Sequence, residues 1–125
     1  MNFETLMGGI YWRIKNPSNG PFSWPPLLSY ATTIGHTTVF QGNICPDVIS
    51  LGHEFFHVQH TNTLRYIFSF TIGRLWKDSY WRDQEAGANA NGLAVQKDVA
   101  FVALAARIRG MIPASIPTVV VNHPV

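Results

Sequence analysis

The spacing of hydrophobic positions divides the chain into segments of different character. Residues 14–26 show no period: Asn16-Pro17-Ser18-Asn19-Gly20-Pro21 and Pro25-Pro26 interrupt too often for a regular element, so this stretch reads as loop. Over residues 28–41, threonine, valine, isoleucine and aromatic residues dominate, the composition of a strand or of a hairpin bent at Gly35. Cys45-Pro46-Asp47 then reads as a helix start, with proline in the first turn and an aspartate complementing the dipole. A helix over about 46–60 places Val48, Leu51, Gly52, Phe55 and Val58 on one apolar arc. His53, His57 and His60 share another face, with Glu54 on its flank. Gly52 costs an interior helix about 1 kcal/mol, which close approach of a second backbone would explain. Thr61-Asn62-Thr63 breaks the pattern and caps a second helix over about 64–76. A third helix starts near Tyr80 and carries Glu85. It either runs to Arg109 or breaks near Asn91-Gly92, and Gly110 and Pro113 stop it. The tail from Pro113 has one strand-like run at 118–121. Together these elements predict an α+β fold, mostly helical, with a small sheet packed on the 46–60 helix. One domain spans 1–125, with its core at about 28–110 and a tail at 111–125.

Composition narrows the function classes. With 46% hydrophobic and 13% charged residues among 125, the chain is the opposite of a disordered tail. A net charge of +2, scattered along the sequence, excludes nucleic acid as the expected partner. The single cysteine, Cys45, precludes an internal disulfide framework. The apolar stretches 64–76 and 99–108 are shorter than the roughly 20 residues that span a bilayer, and read as buried helices. Residues 1–15 lack a basic segment followed by an unbroken apolar run, so the expected location is the cytoplasm.

The ionisable residues are few and clustered. Of three glutamates (Glu4, Glu54, Glu85) and five histidines, Glu54, His53, His57 and His60 fall within eight residues. His53-Glu54-Phe55-Phe56-His57 is an HExxH motif. Residues i and i+4 lie one above the other on a helix, so two imidazoles can meet one Zn²⁺, with the intervening Glu beside its water. The chain's own composition yields this pattern by chance roughly 0.005 times, a low but not negligible rate that leaves two ordinary helix histidines as the alternative. A catalytic zinc needs a third protein ligand and an open position. Glu85, on a separate helix, is the best candidate, because an unpartnered carboxylate is costly in so apolar a chain. His60 sits a turn below His57 and is read as lining the cleft or supporting the ligands. Cys45 is read as a small buried hydrophobe, and His36 could face either way from its strand.

Leu51-Gly52-His53-Glu54-Phe55-Phe56-His57, followed by Glu85-Ala86-Gly87-Ala88, resembles the gluzincin class of zinc metallopeptidases, and within it the small single-domain bacterial members. Thr33-Ile34-Gly35-His36 and Tyr80-Trp81-Arg82-Asp83-Gln84-Glu85 are similar to flanking blocks of those proteins, so the likeness covers about residues 30–92. The resemblance implies a minimal zincin-like domain holding one Zn²⁺ per chain. It implies His53, His57 and Glu85 as ligands, Glu54 as general base, and a peptide or protein substrate aligned along an edge strand near 32–40. Zinc would bring the pKa of its water toward about 7 and polarise the substrate carbonyl. Glu54 would take the water's proton and pass it to the leaving amine. Ala88 would let two helices approach. Asn89 stands where thermolysin-like members carry an Asp that orients a ligand histidine; its amide oxygen can still accept an imidazole N–H. Tyr80, Tyr66 and His36 remain open as stabilisers of the carbonyl oxygen.

Three other readings were weighed. A di-iron bundle needs paired E-x-x-H motifs, and only Glu54-Phe55-Phe56-His57 provides one. A non-catalytic zinc-binding interaction module suits the small size and Asn89, but leaves Glu54 unexplained. A membrane-surface role would suit Tyr66-Ile67-Phe68-Ser69-Phe70 with Arg65, Arg74, Trp76 and Lys77. Packing of that segment on the zinc helix is favoured over it, so membrane contact is not expected.

Overall fold

The computed structural model describes residues 4–7, 9–15, 31–42 and 44–119. Most of the expected loop at 14–26, the strand start at 28–30 and the end of the tail lie outside them. The described residues form an α+β fold, as the hydrophobic pattern predicts. β1 (Glu4–Met7), β2 (Ile10–Lys15), β3 (Ala31–Ile34) and β4 (Thr37–Gln41) make one sheet in the order β1-β2-β4-β3. β1 and β2 are antiparallel, β2 and β4 parallel, and β3 and β4 form the expected hairpin. Gly35 turns that hairpin at φ +59°, the left-handed region where glycine is favoured. β1 and β2 were not expected. Ile14 and Lys15, assigned to loop, complete β2.

β5 (Cys45–Pro46) pairs in parallel with β6 (Thr118–Val119), bringing the tail back to the start of the next helix. Pro46 therefore belongs to a strand. Asp47 is the N-cap of α1 (Val48–His60) rather than part of its first turn; its Oδ1 accepts from the Ser50 N–H and hydroxyl, each at 2.9 Å. α2 spans Thr63–Phe70, and a separate 3₁₀ turn spans Ile72–Trp76, so the expected single helix is broken at Thr71. α3 (Tyr80–Ala94) passes through Asn91 and Gly92 without interruption and ends before Asp98, which caps α4 (Val99–Met111). Gly110 lies inside α4.

The core joins the sheet, α1 and α4. Trp12 and Phe40 stack with centroids 6.1 Å apart, and Leu51, Leu104 and Ile108 close over them. Each such aliphatic burial stabilises by about 1.5–3 kcal/mol. Ile10, Trp12 and Ile112 belong to this cluster, so the core extends beyond residues 28–110. The stretch at 64–76 does not. Its buried residues are Ser69 and Gly73, while Leu64, Leu75 and Trp76 are largely exposed. The expectation of a buried helix there fails because the segment turns its small residues, Ser69 and Gly73, inward and leaves its large apolar side chains on the outer side. Among the described residues no helix is long and apolar enough to cross a membrane.

α1 and α3 make the most extensive helix contact. Their crossing is set by glycine. A Cβ on Gly52 would lie 3.0 Å from the Gly92 Cα, and one on Gly92 would lie 2.5 Å from the Ile49 carbonyl oxygen. Asn91 Nδ2 donates to the Gly52 carbonyl at 2.7 Å across the same contact, and Ala88 is fully buried beside it. Close approach of a second backbone is thus the reason for a glycine at 52.

Candidate metal centre

Capping by Asp47 sets the phase of α1, and the glycine crossing brings α3 within reach of its histidine face. His53 and His57, one turn apart, then meet Glu85 from α3. His53 Nε2 lies 3.1 Å from Glu85 Oε2, and His57 Nε2 lies 3.1 Å from Glu85 Oε1. One ligand atom from each residue lies within 4.8 Å of the others, a group close enough to hold a metal ion. A tetrahedron with metal–ligand distances of about 2.0–2.1 Å has edges of about 3.3 Å. The two histidines approach different oxygens of the Glu85 carboxylate, so gathering one atom from each residue at that spacing requires the side chains to close further around the ion. All three side chains are buried, His57 being the most exposed at 9%.

The tautomer of His57 follows from its neighbours. Thr61 donates its hydroxyl proton to Gln84 Oε1 at 2.8 Å. A hydroxyl has one proton, so Thr61 Oγ1 accepts from His57 Nδ1 at 2.9 Å. His57 therefore carries hydrogen on Nδ1, which leaves Nε2, on the Glu85 side, as the atom that would ligate a metal. Tyr66, on α2, donates to Glu85 Oε1 at 2.7 Å. Burial, and then that bond to Glu85, push the Tyr66 phenol well above its usual range, so it stays protonated as a donor.

Glu54 occupies the same pocket. Its Oε1 is 4.0 Å from His53 Nε2, and its Oε2 accepts from the Thr33 hydroxyl on β3 at 2.6 Å. Thr33 Oγ1 is in turn 2.9 Å from Thr38 Oγ1 on β4. With the Thr33 proton committed to the carboxylate, Thr38 is the donor to Thr33.

The remaining candidates stand elsewhere. Asn89 lies one helical turn beyond Glu85 on α3 with its amide oxygen buried, and it is not the partner of His57 Nδ1, which Thr61 takes. His60 is exposed and packs on Phe56 with centroids 4.8 Å apart, away from the cluster. Tyr80 is outside the site; its hydroxyl accepts the Asn62 N–H at 2.9 Å, and Arg65 lies over its ring. His36 is exposed in the hairpin turn, where its carbonyl accepts from the Tyr11 N–H. Cys45 is buried in β5, where its neighbours are core residues. Thr33, Thr61 and Gln84 were not anticipated. Only Thr61 left a trace in the sequence, as a hydroxyl one helical turn after His57.

No protein-family model, curated protein or solved structure matches this chain. Its chemistry therefore rests on the geometry of the site.

Proposed function

We propose that this chain is a zinc-dependent peptidase, with His53, His57 and Glu85 holding one Zn²⁺ per chain and Glu54 as general base. The observation that carries this reading is the convergence of two imidazoles and a carboxylate from two helices on one pocket that also contains a second carboxylate. Two nitrogens and one carboxylate within reach of one another suit zinc, which commonly takes three protein ligands in catalytic sites. When bound, zinc supplies Lewis acidity toward a carbonyl oxygen and acidifies a coordinated water. Glu54 is free of any structural need to be a carboxylate in a metal-holding role, because the three ligands are complete without it. Its Oε1 faces His53, while Oε2 is held by Thr33. In this proposal the Glu54 carboxylate accepts the water's proton and returns it to the departing amine. Of the three residues considered for the carbonyl oxygen, Tyr66 alone brings its hydroxyl to the cluster. We assign it that task, for which its one proton turns from Glu85 Oε1 to the substrate carbonyl.

Metal analysis with a peptide-hydrolysis assay tests the reading. About one zinc per chain is expected, lost in His57→Ala. Glu54→Gln should retain the metal and lose hydrolysis. Burial of all three ligands favours a second reading, a metal-holding module without turnover. Zinc retained in the unmodified protein with no hydrolysis of any peptide in a mixed-sequence library would select that second reading.

A further inference from the structure

The segment 63–77 has two sides. Tyr66 and Ser69 face inward, Tyr66 to Glu85 and Ser69 to the Trp81 N–H. The outward side is an apolar ridge that no described residue covers. Leu64 is 80% exposed, Leu75 81% and Trp76 69%, with Ile67, Phe68 and Ile72 about half exposed between them. Within it, Phe68 and Trp76 stack with ring centroids 6.5 Å apart.

Charge identifies what it meets. Residues 63–77 contain Arg65, Arg74 and Lys77 and no carboxylate. Arg65 is paired with Asp78 at 2.6 Å; Arg74, Lys77 and the neighbouring exposed Arg82 are in no ion pair among the described residues. Arg74 lies over Phe70 and Trp81, and Arg82 over Trp81, so cations flank aromatic rings. A second copy meeting this face about a twofold axis would oppose cations to cations, with nothing acidic in the segment to neutralise them. A lipid surface bearing negative headgroups answers both features. Leucine and tryptophan enter the boundary between headgroup and acyl chain, and arginine and lysine stay at the phosphates.

We infer that the outward face of α2 and the following 3₁₀ turn docks on an anionic lipid bilayer. The docking is peripheral, and it is independent of the proposed peptidase chemistry because none of its residues is a metal ligand. Since α2 also carries Tyr66, the lipid surface and the metal cluster would lie on opposite sides of one helix.

Cosedimentation of the full chain with vesicles tests this. Binding is expected to mixed phosphatidylcholine–phosphatidylserine vesicles, weaker to phosphatidylcholine alone, and falling as salt rises. The double variant Leu75→Ser/Trp76→Ser should bind about tenfold more weakly or worse, with an unchanged thermal melt because both side chains are already exposed. Lys77→Gln/Arg82→Gln should lower binding severalfold and abolish the preference for phosphatidylserine. A chelator should change nothing, which separates this result from any failure at the metal site. Equal binding to both vesicle types would overturn the anionic assignment. Failure to bind either, or a concentration-dependent dimer in light scattering that Leu75→Ser/Trp76→Ser dissolves, would overturn lipid docking altogether.

Discussion

Thr33 donates a 2.6 Å hydrogen bond to Glu54, tying the edge strand of the sheet to the middle of α1. Thr38 donates to Thr33 in the same line, so a relay of two hydroxyls ends on one carboxylate oxygen, while the other lies 4.0 Å from His53 Nε2. A hydrogen bond to a charged group contributes about 1.5–3 kcal/mol. Thr33→Val should therefore slow peptide hydrolysis by about tenfold or more at unchanged zinc content, and Thr33→Ser should restore most of the rate. Steady-state kinetics with metal analysis of each variant checks this; loss of zinc in Thr33→Val would mean the hydroxyl maintains the fold rather than the base.

The Thr61 hydroxyl sets the His57 tautomer. Thr61→Val removes the acceptor for Nδ1–H, and partners of this kind typically contribute 10–100-fold in metal affinity. Zinc affinity should fall by about that factor, as measured by competition with a chromophoric chelator. Thr61→Ser should recover it. An unchanged affinity in Thr61→Val would show that His57 keeps its ring state without this partner.

Two glycines in helices should respond in opposite ways to the same substitution. Gly92→Ala pushes a methyl to 2.5 Å from the Ile49 carbonyl oxygen, a backbone atom that cannot turn aside. It should destabilise by about 1–3 kcal/mol and weaken zinc binding, because the α1–α3 spacing opens. Gly110→Ala meets nothing within 4 Å and should stabilise by about 0.5 kcal/mol through helix propensity. Paired denaturant melts of the two variants decide the matter.

Asp78 gives a pH signature away from the metal. Its hydrogen bonds to Arg65 and to the Tyr80 N–H hold the carboxyl at about 2, below its usual 3.8. A depressed folded-state pKa gives stability that is fully present above the ordinary carboxylate range and lost as pH falls toward 2. The melting-temperature difference between the unmodified protein and Asp78→Asn should be constant from neutral pH to about 5 and shrink toward pH 2. A difference that stays constant to pH 2 would contradict this.

The part of the site written in local spacing was legible: His53, Glu54 and His57 repeat on one helix, and Glu85 stood out because glutamate is scarce. Its supports were not. Thr33 meets Glu54 across 21 residues and Thr61 meets Gln84 across 23, so each pair exists only once separate elements have packed. Asn89 was expected from likeness to a motif; for His57 the partner is the Thr61 hydroxyl, which no motif marks. In the fold, Met7-Gly8-Gly9-Ile10 carries a hairpin signal, and Ile10 and Trp12 point inward while Tyr11 points out. The aromatic at 11 hid that alternation. Gly92 looked like a helix break, but its missing Cβ serves contact with α1, and the break came at the Asp98 cap. At 64–76, abundance of apolar residues suggested burial. Close packing on α3 instead selected the smallest residues, Ser69 and Gly73, for the inside.

Arg109 clasps the tail: its guanidinium donates to the Ile116 and Pro113 carbonyls and to the Thr118 hydroxyl, and the Cys45 N–H donates to Pro117. The only thiol in the protein is therefore buried in a two-residue strand pair that Arg109 helps to hold, just before the helix that carries His53 and His57. Alkylation of Cys45 becomes a clock for local opening at that end of α1. Its rate under native conditions reports how often the tail lets go while the rest of the fold stays closed.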